Sequence, residues 1–131
     1  MFSVEDIKRF ATLVGDTNPA HHDVAQAAAA SFETILASGT HTLSVMLAVV
    51  PDYFRSWGPS VGLGASVRML KPVRANDHAR VEWTISKVTA SAKLKGWVVD
   101  LQGKLTREDG VLAMRAETEV LFWSQRANAS S

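Results

Sequence analysis

"THTLSVMLAVV", residues 40–50, spreads its apolar side chains all round a helical wheel instead of along one stripe, the pattern of a helix buried on most sides. At this length it is too short to cross a bilayer. Such a helix needs a wrapping, and the chain downstream supplies one. Beyond "SWGPS" (56–60), a loop signal, the apolar period changes to two. Val61, Leu63, Ala65, Val67 and Met69 alternate with smaller or polar residues, as do Ala79, Val81, Trp83 and Ile85. Trp97, Val99, Leu101 and Leu105 follow, then Leu112, Met114, Ala116, Thr118, Val120 and Phe122. This predicts four long strands. "KPVRAND" (71–77) joins the first two and "SAKLKG" (91–96) the middle pair, and Asp109-Gly110 marks a tight turn before the last.

An antiparallel sheet with one apolar face must be covered, and the 40–50 helix is the element long and apolar enough to cover it. The expected class is α+β, a hot-dog fold in which the sheet wraps a central buried helix. Pro51 is expected to end or kink that helix. Upstream, Val4, Ile7, Phe10, Ala11 and Val14 share one face of a first helix. Ser3 serves as its cap, Phe2 packs as a staple on Ile7, and Gly15 is a left-handed terminator. A second helix starts at Asp23 and runs into the alanines at 27–30. Residues 1–124 read as a single domain and 125–131 as a polar tail.

With 131 residues, 47% of them hydrophobic, the chain can bury one real core. Fourteen Lys and Arg against thirteen Asp and Glu leave a formal charge of +1, so no global field draws it to nucleic acid or to an acidic membrane surface. The absence of cysteine excludes disulfides, thiolate metal sites and a Cys nucleophile, and fits a reducing cytosol. "MFSVEDIKRF" reads as a helix start rather than a signal peptide. The expectation is a cytoplasmic protein with no membrane or nucleic-acid partner.

"GDTNPAHHD" (15–23) concentrates two acids, two histidines, an asparagine and a proline between apolar stretches. Turn chemistry alone explains most of it: Gly15 ends a helix, Asp16 and Asn18 form turns, Pro19 breaks, and Asp23 caps. It leaves His21 unexplained. In the second reading the turn at Pro19 brings Asp16 and His21 to face one volume, where a carboxylate and an imidazole form an acid/base set around one water. A metal site on Asp16, His21, His22 and Asp23 is the third reading. Neighbouring histidines project apart, and no HxxxH or HxH spacing repairs that.

"FATLVGDTNPAHHD" resembles the signature of the R-specific enoyl-CoA hydratases, the MaoC-like dehydratase group. It does so at Phe10, Gly15, Asp16, Asn18, Pro19, His21 and Asp23. "SFETILASGTHTLS" is similar to that family's approach to its central helix, at Phe32, Glu33, Gly39 and Ser44, and "LKPVRAND" to its turn at Pro72 and Val73. The resemblance implies hydration of a trans-enoyl thioester to the R-3-hydroxyacyl thioester, or the reverse dehydration, on an acyl-CoA or acyl-carrier-protein substrate. It implies Asp16 and His21 as catalytic residues and no metal or other cofactor. Asn18, Gly39 and Ser44 are implied on the substrate side, with the Gly39 N–H facing the thioester oxygen, where a helix N-terminus favours negative charge. A homodimer or higher homo-oligomer is implied too.

Several positions depart from the pattern. Ser38 stands where the family often has His, Thr34-Ile35 where a proline is usual, and His22 and His41 where apolar residues are usual. His41 reads either as a polar lining for the acyl group or as a buried, hydrogen-bonded histidine. The family's usual strand ahead of the first helix has no counterpart here, so one sheet edge is expected to be missing a strand or to be covered by another subunit. Arg68, Lys71, Arg74 and Lys93 are the cations available for a phosphate-bearing carrier. The four tryptophans, Trp57, Trp83, Trp97 and Trp123, read as core or dimer interface. Two rivals remain: a hot-dog thioesterase, which would want a carboxylate on the central helix where residues 40–50 have none, and a non-catalytic acyl-binding or assembly subunit.

Overall fold

Ser3 accepts the Asp6 N–H at its side-chain oxygen (3.1 Å) and opens helix α1, Val4–Val14; Gly15, with φ at 79°, closes it. The computed structural model describes residues 1–29 and 34–123. The expectations placed on Ala30, Phe32, Glu33 and the 125–131 tail lie outside the described residues. Ile7 and Ala11 are the buried face of α1, and Phe2 joins Ile7 in the core as a staple should. A 3-10 turn at Pro19–His21 leads into α2 (Val24–Ala29), capped by Asp23, whose Oδ1 accepts from the N–H groups of Ala25 and Gln26 at 2.9 and 3.2 Å.

The central helix α3 spans Gly39–Phe54, followed by β1 (Ser60–Met69), β2 (Ala79–Ser91), β3 (Gly96–Arg107) and β4 (Leu112–Phe122). All pairings are antiparallel, in the order β1-β4-β3-β2. Gly110 holds the left-handed corner of the β3–β4 turn with φ at 85°. This is the hot-dog arrangement expected, with two corrections. Of the two outcomes expected at Pro51, an end or a kink, the first does not occur: α3 runs on through Phe54. Proline forfeits one backbone hydrogen bond, and burial of Val50 and Phe54 against Val99, Leu101 and Val120 holds the last turn in place.

The second correction concerns coverage. A helix is roughly 10 Å across and strands lie about 4.8 Å apart, so one helix shields about two strands. Leu101, Leu105, Met114, Ala116 and Val120, on β3 and β4, are buried, while Met69 on β1 and Val88 on β2 are 53% and 54% exposed. The sheet is therefore dry in its middle and open on both flanks. Of the four tryptophans, Trp83 is the one tied to α3, its Nε1–H donating to the Met46 carbonyl at 2.9 Å, whereas Trp57 and Trp97 are exposed.

At one end of the sheet Arg107 donates to both oxygens of Asp109 and to the Pro72 carbonyl, while Arg74 bonds Asp77 and lies 3.6 Å from Asp109. The Arg107 hydrogen bonds hold the Asp109 carboxyl down at about 2. This network fastens the 70–78 segment to the β3–β4 turn, so Arg74 is engaged structurally. Lys93 sits in the β2–β3 turn at the opposite end of strands some 40 Å long, at about 3.3 Å per residue. The four cations offered for a phosphate-bearing carrier therefore do not form a single patch, since Lys93 stands apart from Arg74.

Trp83 lies flat over Gly103, where any Cβ would strike its ring. Gly103→Ala is expected to displace the indole and destabilise the fold by about 1–3 kcal/mol, the usual range for overpacking. Urea unfolding followed by tryptophan fluorescence measures it, and an unchanged midpoint would contradict this packing.

Candidate active site

The segment just ahead of α3 is the frame on which the site is built. Ala37 N–H donates to the Val73 carbonyl and Ala75 N–H to the Ile35 carbonyl (2.9 and 3.0 Å), and Leu36 pairs with Arg74 as an isolated antiparallel bridge. From the other side Leu36 N–H reaches the Ala20 carbonyl at 2.8 Å. The Leu36 carbonyl then lies 2.7 Å from His21 Nδ1. A carbonyl only accepts, so Nδ1 carries a proton, and in the neutral form of the ring the lone pair is on Nε2.

That Nε2 lies 3.5 Å from Asp16 Oδ2; the two side chains are 11% and 34% exposed. Asp16 follows directly on Gly15, and its N–H returns to the Ala11 carbonyl at 2.8 Å. Its Oδ1 accepts the Asn18 N–H (3.0 Å), and the Asn18 side chain in turn accepts the Ala20 N–H (3.1 Å), capping the 3-10 turn that Pro19 begins. With the imidazole neutral, Nε2 and Oδ2 are two acceptors 3.5 Å apart that do not bond each other. One water can donate to both, leaving its oxygen lone pairs free.

Ser38 caps α3, its Oγ accepting the His41 N–H at 3.2 Å. Among the described residues the Gly39 N–H meets no acceptor, as is normal for the first helical turn, where the positive end of the helix dipole also lies. The Met69 side chain rests on the Gly39 Cα, where a Cβ would collide with it. The structure thus gathers Asp16, Asn18 and His21 in one turn and starts α3 three residues beyond Leu36. Ser44 is exposed on α3 and forms no hydrogen bond to Asp16 or His21.

Two participants take roles the sequence did not assign them. Leu36 acts through its backbone, which carries no sequence signal. His22, read in sequence as a metal-ligand candidate and as a departure from an apolar position, places Nε2 2.7 Å from the Asp16 carbonyl, so both histidines meet Asp16, His21 at the carboxylate and His22 at the backbone. Among the described residues no three His, Asp or Glu side chains converge as a metal site would require, and no helix is long and apolar enough to cross a membrane.

His41 is 9% exposed, stacked on Phe10 (centroids 4.5 Å apart, planes 7° apart) and edge-on to Phe2 at 5.1 Å. It is buried as expected but not satisfied, since Nδ1 has no hydrogen-bond partner. Burial lowers its pKa, opposed by the nearby Asp6 carboxylate. A histidine whose folded pKa lies below its unfolded value of about 6.5 contributes stability above that pH and loses it as pH falls through the folded value. His41→Leu, which removes the titrating group and keeps an apolar side chain, is expected to flatten the fall in Tm between pH 6.5 and pH 5. An unchanged slope would show that other groups set it.

The MaoC like domain profile matches residues 2–104. A UPF0336 protein of Streptomyces griseus is 31% identical over 125 residues, covering 89% of this chain and 81% of its own length. The structure of an (R)-hydratase from A. caviae involved in PHA biosynthesis superposes with a TM-score of 0.77 at 28% identity, over 92% of this chain and 88% of that one. The C-terminally truncated HadBC (3R-hydroxyacyl-ACP dehydratase) complex from Mycobacterium tuberculosis shares the fold, with a TM-score of 0.78 at 24% identity over 92% and 88% of the two chains. A profile match over most of the chain, on a sheet wrapped round one central helix, places this protein in the MaoC-like dehydratase family, whose hot-dog fold serves enzymes of the hydratase and dehydratase type.

Proposed function

We propose that the protein adds water to a trans-2-enoyl thioester to give the R-3-hydroxyacyl thioester, or runs the reaction in reverse. The observation that carries this reading is the approach of His21 Nε2 to Asp16 Oδ2, 3.5 Å apart, which in the neutral ring sets two acceptors side by side. Water held between them is polarised for attack on the β carbon. One of its protons passes to the pair and a proton is returned to the α carbon, since the reaction needs a base for the nucleophile and an acid for the enolate. As the thioester oxygen gains charge, the free Gly39 N–H at the head of α3 stabilises it. Asn18 fixes the turn, and Ser44 lines the acyl path along α3.

The chemistry calls on no metal or redox cofactor. The acyl group arrives on CoA or on an acyl carrier protein, in the cytoplasm, and residues 1–124 act as one domain. The thioesterase alternative wants a carboxylate near the carbonyl, and α3 has none before Asp52.

Crotonyl-CoA and a longer enoyl-CoA test the reading: enoyl absorbance should fall with the wild type, chiral analysis should return the R product, and Asp16→Asn and His21→Ala should each lose about 10²–10⁴-fold. Release of free CoA thiol instead of hydration would point to thioester hydrolysis, and an S product would overturn the stereochemical assignment.

The open flanks of the sheet are covered by a second copy of the chain. Sedimentation should therefore give twice the 14.2 kDa chain mass. A stable monomer would leave the flanks to a different partner.

A further inference from the structure

We infer that His22 is a positioning residue that locks the Asp16 backbone and so aims the Asp16 carboxylate at His21; the inference rests on the hydratase reading of that pair. Asp16 stands just past the end of α1, where helical hydrogen bonding no longer fixes the chain. Its orientation is set by the backbone torsion on either side of its Cα and by its side-chain torsions. Each has one anchor. The N–H is held by the Ala11 carbonyl at 2.8 Å. Oδ1 is held by the Asn18 N–H at 3.0 Å. The carbonyl is held by His22 Nε2 at 2.7 Å, at the short end of the range for N–H···O bonds.

Two of these anchors are backbone groups that substitution leaves in place. The third is a side chain. It can hold Asp16 because His22 is itself fixed: it ends the 3-10 turn with its N–H on the Pro19 carbonyl at 3.0 Å, and the Asp23 N–H shares that acceptor at 2.9 Å. The imidazole thus closes residues 16–22 into a ring with Pro19 at its tip. The carbonyl can only accept, so the proton must sit on His22 Nε2, opposite to the Nδ1–H form required of His21 by Leu36. Two adjacent histidines hold opposite tautomers, one facing the reaction and the other holding its partner in place.

Misplacement of a reacting group by about 1 Å can cost of order 10²-fold. His22→Leu is therefore expected to lower kcat about 10- to 100-fold with KM changed less than twofold, because the substrate-facing groups remain. Glutamine can put an amide N–H near the position of Nε2, so His22→Gln should recover most of the loss. A merely structural role would lower Tm and the active fraction in the leucine variant without changing kcat per folded site. Folded fraction is therefore measured by circular dichroism alongside turnover.

A leucine variant with wild-type kcat, or a glutamine variant no better than leucine, overturns the inference. Failure of the underlying reading looks different: the wild type itself is then silent on enoyl-CoA. The ring closure is also read without turnover, from long-range 1H–15N spectra of the wild type. A proton resident on His22 Nε2 and slow to exchange is the expected result. A proton on Nδ1 removes the anchor and with it the inference.

Discussion

One helix covering a four-stranded sheet is the constraint from which the rest of this molecule follows. Because α3 shields about two strands, the chain has to seat it over β3 and β4, and Trp83 reaches across from β2 to bond the Met46 carbonyl halfway along the helix. Seating α3 fixes where its first turn begins. The residues immediately before it, Ile35 to Ala37, are then drawn out between the 73–75 loop and the turn at Ala20 and His21. The candidate site is thus attached to the core through an extended backbone segment, and its geometry inherits the rigidity of the sheet.

Within the site, specificity of protonation comes from carbonyls. Neutral histidine can carry its proton on either of two distinct ring nitrogens, and a protein selects one by what it offers each. Here the Leu36 carbonyl assigns the proton of His21 to Nδ1 and the Asp16 carbonyl assigns that of His22 to Nε2. The lone pair opposite Asp16 is therefore a consequence of backbone placement. His41 shows the contrary case: with no partner for Nδ1 and aromatic rings on two sides, the neutral form is favoured by the cost of burying charge. Its ring joins α1, which leads to Asp16, to the first turn of α3, which carries Gly39.

The exposed apolar rows of β1 and β2 are the counterpart of that one-helix cover. Along Val61 to Val67, β1 carries no charged residue at its free edge; Pro59 and Arg68 flank that stretch. The sheet centre is covered by α3, and its flanks remain exposed.

By itself the sequence determined the element types and their order, because these depend on local periodicity and on short-range caps. Ser3, Gly15, Asp23 and Asp109-Gly110 act within a few residues of themselves, and they do in the structure what their identities predict. Its resemblance to the family motif, more than the turn residues themselves, singled out Asp16 and His21 as a pair. Tertiary structure decided what depends on distance between residues far apart in the chain. Pro51 sits inside a helix because burial of Val50 and Phe54 outweighs one lost hydrogen bond. Lys93 stands apart from Arg74 because strand length separates the two ends of the sheet. His22 reads in sequence as a metal-ligand candidate or a departure from an apolar position, and only the fold turns its ring back six residues to the Asp16 carbonyl; the Leu36 carbonyl that sets the tautomer of His21 has no signature in sequence because every residue has one.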